Sequence, residues 1–197
     1  MPARPPRPVL VTLAVLVLLA LGGCGSSHTK VTTGTYAGES GASAPYLDVG
    51  PLRYQIQLSR QLNPYDIGDS AYLQDLPPAE QKLEVGQEWF GVFIQVYNHS
   101  AHARPAASPP TVTIFDTQDN LYVPVALGPG NQFAYRGGLV PGDGRLPELD
   151  TVASNGGTQG ALLLYKVYTV SLDNRPLKVR VVNPANSAQT ASAELDV

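Results

Sequence analysis

The sequence is poor in the residues on which most catalytic and metal sites depend. Of its 197 residues only one is cysteine, Cys24, so no disulfide can form within the chain. Three histidines occur, without the His-Glu-x-x-His pattern of zinc proteases. The Gly-x-Ser-x-Gly elbow of serine hydrolases is missing, and no glycine-rich loop joins a strand to a helix to hold a phosphate. We therefore expect no enzyme and no cofactor, with an enzyme as the weakest of three functional alternatives.

Charge is also scarce, since charged residues make up 15% of the chain and its formal net charge is −3. Basic residues form no stripe along the sequence. This distribution argues against a nucleic-acid partner and against electrostatic binding to anionic lipids.

Long apolar runs are absent beyond the first 21 residues. Arg4 and Arg7 precede an apolar run from Val9 to Leu21, followed by Gly22, Gly23 and Cys24. The run is shorter than the roughly 20 residues of a membrane-spanning helix, although an uncleaved helix is one alternative. A basic leader, a short apolar run and small residues before a cleavage point are typical of a secretory signal.

Leu21-Gly22-Gly23-Cys24 resembles the lipobox of bacterial lipoproteins. The resemblance implies a signal peptide over 1–23 and a lipid-modified Cys24 as the new first residue. It also implies attachment through that lipid to the extracytoplasmic face of the cell membrane. A structural or catalytic role for Cys24 is the competing interpretation. Loss of Arg4 and Arg7 would change the formal net charge to −5.

Composition divides the remaining chain into a tether, one folded domain and a tail. Residues 24–48 are rich in Ser, Thr, Gly and Ala, which predicts a disordered, flexible tether with a reach of roughly 25 Å that lifts the domain off the membrane. Residues 49–186 are predicted to form the domain. Residues 187–197 lack bulky periodic positions and are predicted to be a loosely held tail.

The domain carries β-strand patterns and no long amphipathic helix. Leu52, Tyr54, Ile56 and Leu58 alternate with polar residues, as in a half-buried strand. The nearly continuous apolar segment Ala161–Tyr168 is typical of a central strand. Eighteen prolines and nineteen glycines interrupt the chain at the spacing of an all-β sandwich.

Strand order and turn residues between Leu52 and Pro184 resemble bacterial lipoproteins that have one immunoglobulin-like domain of unknown function. The residues that carry the resemblance are Val85–Asn98, the Ile114–Tyr122 hairpin, Gly156–Gly160 ahead of Ala161–Tyr168, and Leu177–Val182. It implies an immunoglobulin-like antiparallel β-sandwich of about seven strands, exported for binding at the envelope, without catalytic residues. Two long loops depart from the family pattern, His99–Pro110 and Ala126–Gly160.

Aromatic residues are the candidate binding surface. Trp89, Phe93 and Tyr97 share one strand face and could form an exposed platform, the kind of anchor that binding sites favour. Phe133 and Tyr135 in the long loop belong to the same candidate surface. The alternatives are that the strand is buried on both faces, or that the long loop covers this face.

Metal sites have weaker candidates. His99 and His102 lie three residues apart in one loop but have no evident further ligand. Asp116, Asp119 and Asn120 could line a calcium loop, although a hairpin turn favours the same residue types. Asp143, Glu148 and Asp150 form another acidic cluster, equally typical of a solvated surface. We predict no metal at any of them.

Two functional hypotheses follow. The first is a membrane-anchored interaction module that presents its loops to an envelope protein or polymer. The second is a carrier of a small apolar ligand or lipid, held between the sheets or under the long loop. Composition does not separate them, because a packed core and a lined cavity use the same residues.

Overall fold

Two β-sheets lie face to face in the computed structural model, which describes residues 29–32 and 46–195. The strands, in chain order, are β1 (Thr29–Thr32), β2 (Tyr46–Val49), β3 (Leu52–Leu62), β4 (Gln87–Asn98), β5 (Arg104–Ala106), β6 (Val112–Phe115), β7 (Leu121–Tyr122), β8 (Gly138–Val140), β9 (Arg145–Leu146), β10 (Ala161–Tyr168), β11 (Leu177–Asn183) and β12 (Asn186–Leu195). Three short helices are α1 (Ile67–Ser70), α2 (Val152–Asn155) and α3 (Thr169–Asp173), and single 3₁₀ turns cover Pro78–Glu80 and Pro109–Thr111.

The first sheet has the strand order β1-β12-β11-β6-β7, and the second has the order β10-β4-β3-β2 with β9 also paired to β4. Neighbouring strands are antiparallel, apart from β1 and β12, which run parallel. The predicted all-β sandwich is confirmed. Short strands within the loops add to the roughly seven that the sequence indicated.

Alternating apolar residues from both sheets fill the space between them. Tyr54, Ile56 and Ile94 from the second sheet meet Ile114 and Val179 from the first, each at most 1% exposed. Burial of each large apolar side chain contributes about 1.5–3 kcal/mol relative to exposure. This shared core explains the alternation seen in β3 and β11.

A second apolar layer covers part of the outer face of the second sheet. Phe93, Leu162 and Leu164 point away from the main core and pack under side chains from the segments 72–83 and 125–133. Strand β4 is therefore buried on both faces, which is why its sequence reads as nearly continuous hydrophobicity.

The two long loops are structured and pair with each other. Strand β5, in the first loop, is antiparallel to β8, in the second. Val125, just before the second loop, and Tyr135, within it, also bond to the free edge of β10: Val125 N donates to Leu164 O at 2.7 Å, and Tyr135 N donates to Leu162 O at 2.8 Å. Strand β10, predicted to be central, is thus the last strand of its sheet, with its outer edge satisfied by loop backbone.

The predicted loose tail is wrong, because residues 186–195 form β12 between β11 and β1. Its inward residues Ala191, Ala193 and Leu195 are buried, and the small alanines hid this periodicity in the sequence.

The predicted tether is wrong at residues 29–32 and 46–48, which belong to β1 and β2. The predicted signal peptide 1–23, Cys24 and the rest of the tether lie outside the described residues. Within those residues, none of the helices has the length and apolar character needed to cross a bilayer.

Candidate functional site

The predicted aromatic surface is not an exposed platform. Trp89 is 4% exposed and Phe93 is fully buried, both within the second apolar layer. The ring of Tyr72 contacts the rings of Phe93 and Phe133 edge-on, with centroids 4.9 Å and 4.7 Å apart. Tyr135 lies in the core between the sheets. The structure therefore has the alternative arrangement, in which the long loop covers this face of β4.

Tyr97 is half-buried and lies beyond the aromatic layer, in a polar strip on the same sheet face. Its hydroxyl donates to Oε1 of Gln95 and lies 3.3 Å from Oε1 of Gln55. Gln57 Nε2 donates to the same Gln55 oxygen at 2.7 Å, and Gln95 Nε2 donates to the carbonyl of Gln159. Three of these glutamines are buried, at 2–4% exposure, so their mutual hydrogen bonds offset the cost of removing them from water.

A pocket of about 420 Å³ opens where β4 ends. The ring of His99 stacks on that of Tyr97, with centroids 6.2 Å apart and planes within 4°. The lining residues are Tyr97, Asn98, His99, Pro141, Asp143, Gly144, Arg145, Glu148 and Leu149. His99, Asp143 and Glu148 thus line the same pocket, which their spacing in the sequence did not predict. Across the described residues, no three His, Cys, Asp or Glu side chains converge to hold a metal.

Asn98 joins the loops that frame this pocket. Its side-chain Nδ2 donates to the carbonyls of His102, Val140 and Pro141 at 2.8–3.1 Å, while its Oδ1 accepts from Ser100 N and Oγ. Arg145 donates from Nη2 to Ser154 Oγ at 2.8 Å. Its buried Nε has no partner among the described residues. The pocket therefore contains one arginine and two carboxylates, with no single dominant charge.

The acidic hairpin loop is a structural turn. Asp116 Oδ1 accepts hydrogen bonds from the backbone N–H groups of Gln118 and Asn120, and Oδ2 accepts from Asn120 Nδ2. Burial alone would raise the pKa of Asp116, but these hydrogen bonds outweigh burial and lower it. The carboxylate thus stabilises the turn of its own hairpin, and a hydrogen bond with the Ser171 side chain in α3 also lowers its pKa.

The opposite end of β4 exposes large apolar side chains, which the sequence analysis missed. Tyr65, Ile67, Val85 and Val170 are 94%, 92%, 102% and 61% exposed, and we call them the apolar rim. They lie on the connections at the end of the second sheet where β3 and β10 end and β4 begins. In the sequence they are isolated apolar residues within polar, proline-containing connections, so no periodicity marked them.

A groove of about 500 Å³ lies beside the apolar rim, between the β3–α1 connection and the start of β4. Tyr65, Leu83 and Glu88 are among its lining residues. Glu88 accepts hydrogen bonds from Gln61 and Thr169, and no cation lies within ion-pair distance of it in the described chain. The groove is thus lined by apolar and neutral polar side chains with one carboxylate, that of Glu88.

Comparison with known proteins shows no matching family model and no matching curated protein. Among solved structures, a "putative lipoprotein" (ycdA) from Bacillus subtilis is 9% identical over 78% of this chain, with a TM-score of 0.49, and this chain spans only 39% of it. The yjhA protein from Bacillus subtilis is 10% identical over 80% of this chain and 99% of its own, with a TM-score of 0.49. An uncharacterized β-sandwich protein from Clostridium difficile 630 is 10% identical over 77% of this chain and 89% of its own, with a TM-score of 0.40. Each is a likeness of backbone arrangement at low identity.

Proposed function

We propose that this protein is a lipoprotein, anchored through Cys24 on the extracytoplasmic face of the cell membrane, whose immunoglobulin-like sandwich binds another envelope protein. The observation that supports a binding function is the exposure of the apolar rim. The four side chains of the apolar rim are each at least 61% exposed on connections at one end of the second sheet, and exposed apolar surface concentrated in one region of a domain commonly marks a protein interaction site. The leader and the residues Leu21–Cys24 support the anchor. No catalytic step is assigned to the protein.

The alternative of an apolar-ligand carrier has less support. Side chains that are at most a few per cent exposed fill the space between the sheets. One apolar pocket beneath the long loop, lined by Val125, Leu127 and Leu162, measures about 250 Å³, below the roughly 300–1,000 Å³ of most ligand sites. The pocket at the end of β4 measures about 420 Å³, but its lining includes one arginine and two carboxylates, which suit an apolar ligand poorly.

Photo-cross-linking in the producing bacterium tests the binding proposal. A photoreactive amino acid at Tyr65 or Val85 should give a discrete cross-linked envelope protein. The same residue at Leu139, which is 67% exposed but distant from the apolar rim, is the matched control. The double variant Tyr65→Ser/Val85→Ser should lose partner binding by at least tenfold with an unchanged melting temperature. Equal cross-linking from Leu139, or full binding by the double variant, would contradict the proposal.

Mass spectrometry of the protein extracted from membranes tests the anchor separately. We expect an N-terminal fragment that begins at Cys24 and carries a covalent lipid mass. Extra mass that disappears on denaturation would instead favour the carrier. A fragment that retains residues 1–23, or a free thiol at Cys24, would contradict lipid attachment.

A further inference from the structure

The pocket at the end of β4 is lined by charges of opposite sign that do not pair with each other. Arg145, Asp143 and Glu148 all belong to its lining. Within the described residues, no carboxylate lies within ion-pair distance of the Arg145 guanidinium, and neither pocket carboxylate has an ion pair or a side-chain hydrogen bond. One cation and two anions therefore share a cavity, and each is open to a ligand of the opposite charge.

Arg145 has too few hydrogen-bond partners for its degree of burial. It pairs with Tyr97 across β9 and β4, which places the two side chains on the same sheet face. Its Nη2 donates to Ser154 Oγ at 2.8 Å, while its buried Nε has no partner among the residues described. Because a guanidinium carries five N–H donors and buried donors are normally hydrogen-bonded, this group suits an incoming carboxylate.

Backbone hydrogen bonds hold the pocket in shape. Asp143 N donates to the Ser100 carbonyl at 3.0 Å, and Asn98 N donates to the Gly144 carbonyl at 2.9 Å. The Asn98 side chain adds its contacts to the Val140 and Pro141 carbonyls. The two loops are thus fixed around the cavity, so that a ligand has little ordering of the protein to offset.

Apolar surface completes the lining. The Tyr97 ring, with the His99 ring stacked on it, and the 63% exposed Leu149 belong to the same pocket. Ligand sites typically combine such apolar contacts with a few polar groups that fix orientation. The volume of about 420 Å³ is that of a small-molecule site.

We infer that this pocket binds a small zwitterion, an α-amino acid with an apolar side chain. Its carboxylate pairs with Arg145, its ammonium with Asp143 and Glu148, and its side chain lies against Leu149 and the Tyr97 ring. An anion alone would be repelled by the two carboxylates, and a cation alone by the guanidinium. A neutral ligand would remove all three charges from water without supplying a counter-charge, which is costly. The inference does not depend on the partner proposed for the apolar rim, which lies at the opposite end of β4.

Titration with free and blocked amino acids tests the need for both charges. L-alanine or L-leucine is added to the full lipidated chain in detergent micelles, and backbone amide signals are followed by NMR. We expect shifts at His99, Asp143 and Gly144 but not at Val85, with a Kd of about 1 mM or tighter. N-acetyl-L-leucine, which lacks the ammonium, and L-leucinamide, which lacks the carboxylate, should each bind at least tenfold more weakly than L-leucine. Equal binding of either blocked form, or no shift with either amino acid, would overturn the inference.

A peptide also carries both charges, at its two ends. Tri-L-alanine is the probe for that source, and it should bind more weakly than L-alanine because the cavity has the size of a small-molecule site. Tighter binding of tri-L-alanine would overturn the assignment to a free amino acid.

Substitutions test the residues on each side of the ligand. Arg145→Gln and the double variant Asp143→Asn/Glu148→Gln should each weaken L-leucine binding at least tenfold; asparagine tolerates the positive φ of Asp143. Arg180→Gln and Asp150→Asn, exposed residues outside the pocket lining, are the matched controls and should bind as the wild type does. Full binding by Arg145→Gln or by the double variant would overturn these roles. If a variant fails to fold, as its melting temperature would show, the blocked amino acids on the wild-type protein still decide the inference.

Discussion

The hydroxyl groups of Tyr54 and Tyr135 hydrogen-bond to the backbone N–H and the backbone carbonyl, respectively, of the same residue, Ala107. The Ala107 N–H donates to the Tyr54 hydroxyl oxygen at 2.7 Å, and the Tyr135 hydroxyl donates to the Ala107 carbonyl at 2.8 Å. Burial raises the pKa of Tyr54 to about 12, against the opposing effect of the Ala107 N–H, and burial also raises the pKa of Tyr135 well above its usual value. Both hydroxyls stay protonated at neutral pH. Through Ala107 they fasten the two long loops to the core of the sandwich.

Removal of either hydroxyl should destabilise the protein. Tyr54→Phe leaves the buried Ala107 N–H without an acceptor, and Tyr135→Phe leaves its carbonyl without this donor. We expect each variant to lose about 1–3 kcal/mol of unfolding free energy in chemical denaturation. Tyr65→Phe, whose side chain is 94% exposed, is the control and should lie within about 0.5 kcal/mol of the wild type. Wild-type stability in Tyr54→Phe would show that water replaces this contact.

Strand patterns in the sequence predicted the sandwich and most of its strands because each alternates between core and outer face. They did not predict β12, whose inward positions include two alanines. They also placed Leu58 with the core residues of β3. A bulge between Ile56 and Leu58 shifts the pairing, so that Ile56 pairs with Ile94 and Leu58 pairs with Phe93, and the half-buried Leu58 contacts both the main core and the outer apolar layer. One extra residue reverses the face of everything that follows, and composition does not reveal it.

The candidate site was harder to predict for a related reason. Trp89 and Phe93 were recognised as one strand face, but whether that face is exposed depends on loop residues 40 positions distant, such as Phe133. The same hydrophobic side chains occur on a strand face that is exposed for binding and on one that a loop covers. No sequence pattern predicts the apolar rim, because its residues belong to separate connections that come to the same end of the sheet only when β3, β4 and β10 pair.

Asn98 should be more important for stability than its place at the end of a strand suggests. Its Nδ2 group faces three backbone carbonyls. Asn98→Asp replaces that donor with an oxygen that is repelled by them, and we expect a loss of about 2–4 kcal/mol in urea denaturation. Asn186→Asp is the matched control, because within the described part of the chain the Asn186 side chain accepts from Ala188 N through Oδ1, and aspartate keeps that oxygen. Equal effects of the two substitutions would contradict this role for Asn98.

Gly128 should not tolerate even a methyl group. Its N–H donates to the Asp75 carbonyl at 2.9 Å, and a Cβ at Gly128 would lie 2.8 Å from that carbonyl oxygen and overlap the Asp75 carboxylate. The carboxylate is itself held by Gly130 N at 2.6 Å. We expect Gly128→Ala to lower the melting temperature, at a cost of about 1–3 kcal/mol. Gly157→Ala, where no atom lies within 4 Å of the added carbon, should have little effect.

Acid should destabilise the protein through Asp69. The Arg60 guanidinium beside it lowers the pKa of this buried carboxylate, with help from the Asn63 N–H at 2.9 Å. Because the pKa of Asp69 is lower in the folded than in the unfolded protein, the unfolded state is protonated at a higher pH as the pH falls. The contribution of Asp69 is therefore complete above the unfolded pKa of about 4 and is lost as the pH falls through the folded value.

The unfolding free energy should accordingly change little between pH 7 and pH 5 and fall steeply below pH 4, a profile that urea denaturation across this range can measure. Asp69→Asn should be less stable at pH 7, since it breaks the ion pair with Arg60 and leaves a partly buried cation without its partner. The same variant should lose less stability on acidification, so the two curves converge at low pH. Asp173→Asn, an exposed carboxylate at the end of α3, serves as the control for a simple change of net charge. Parallel curves for Asp69→Asn and the wild type would show that the Arg60–Asp69 pair does not set the acid limit.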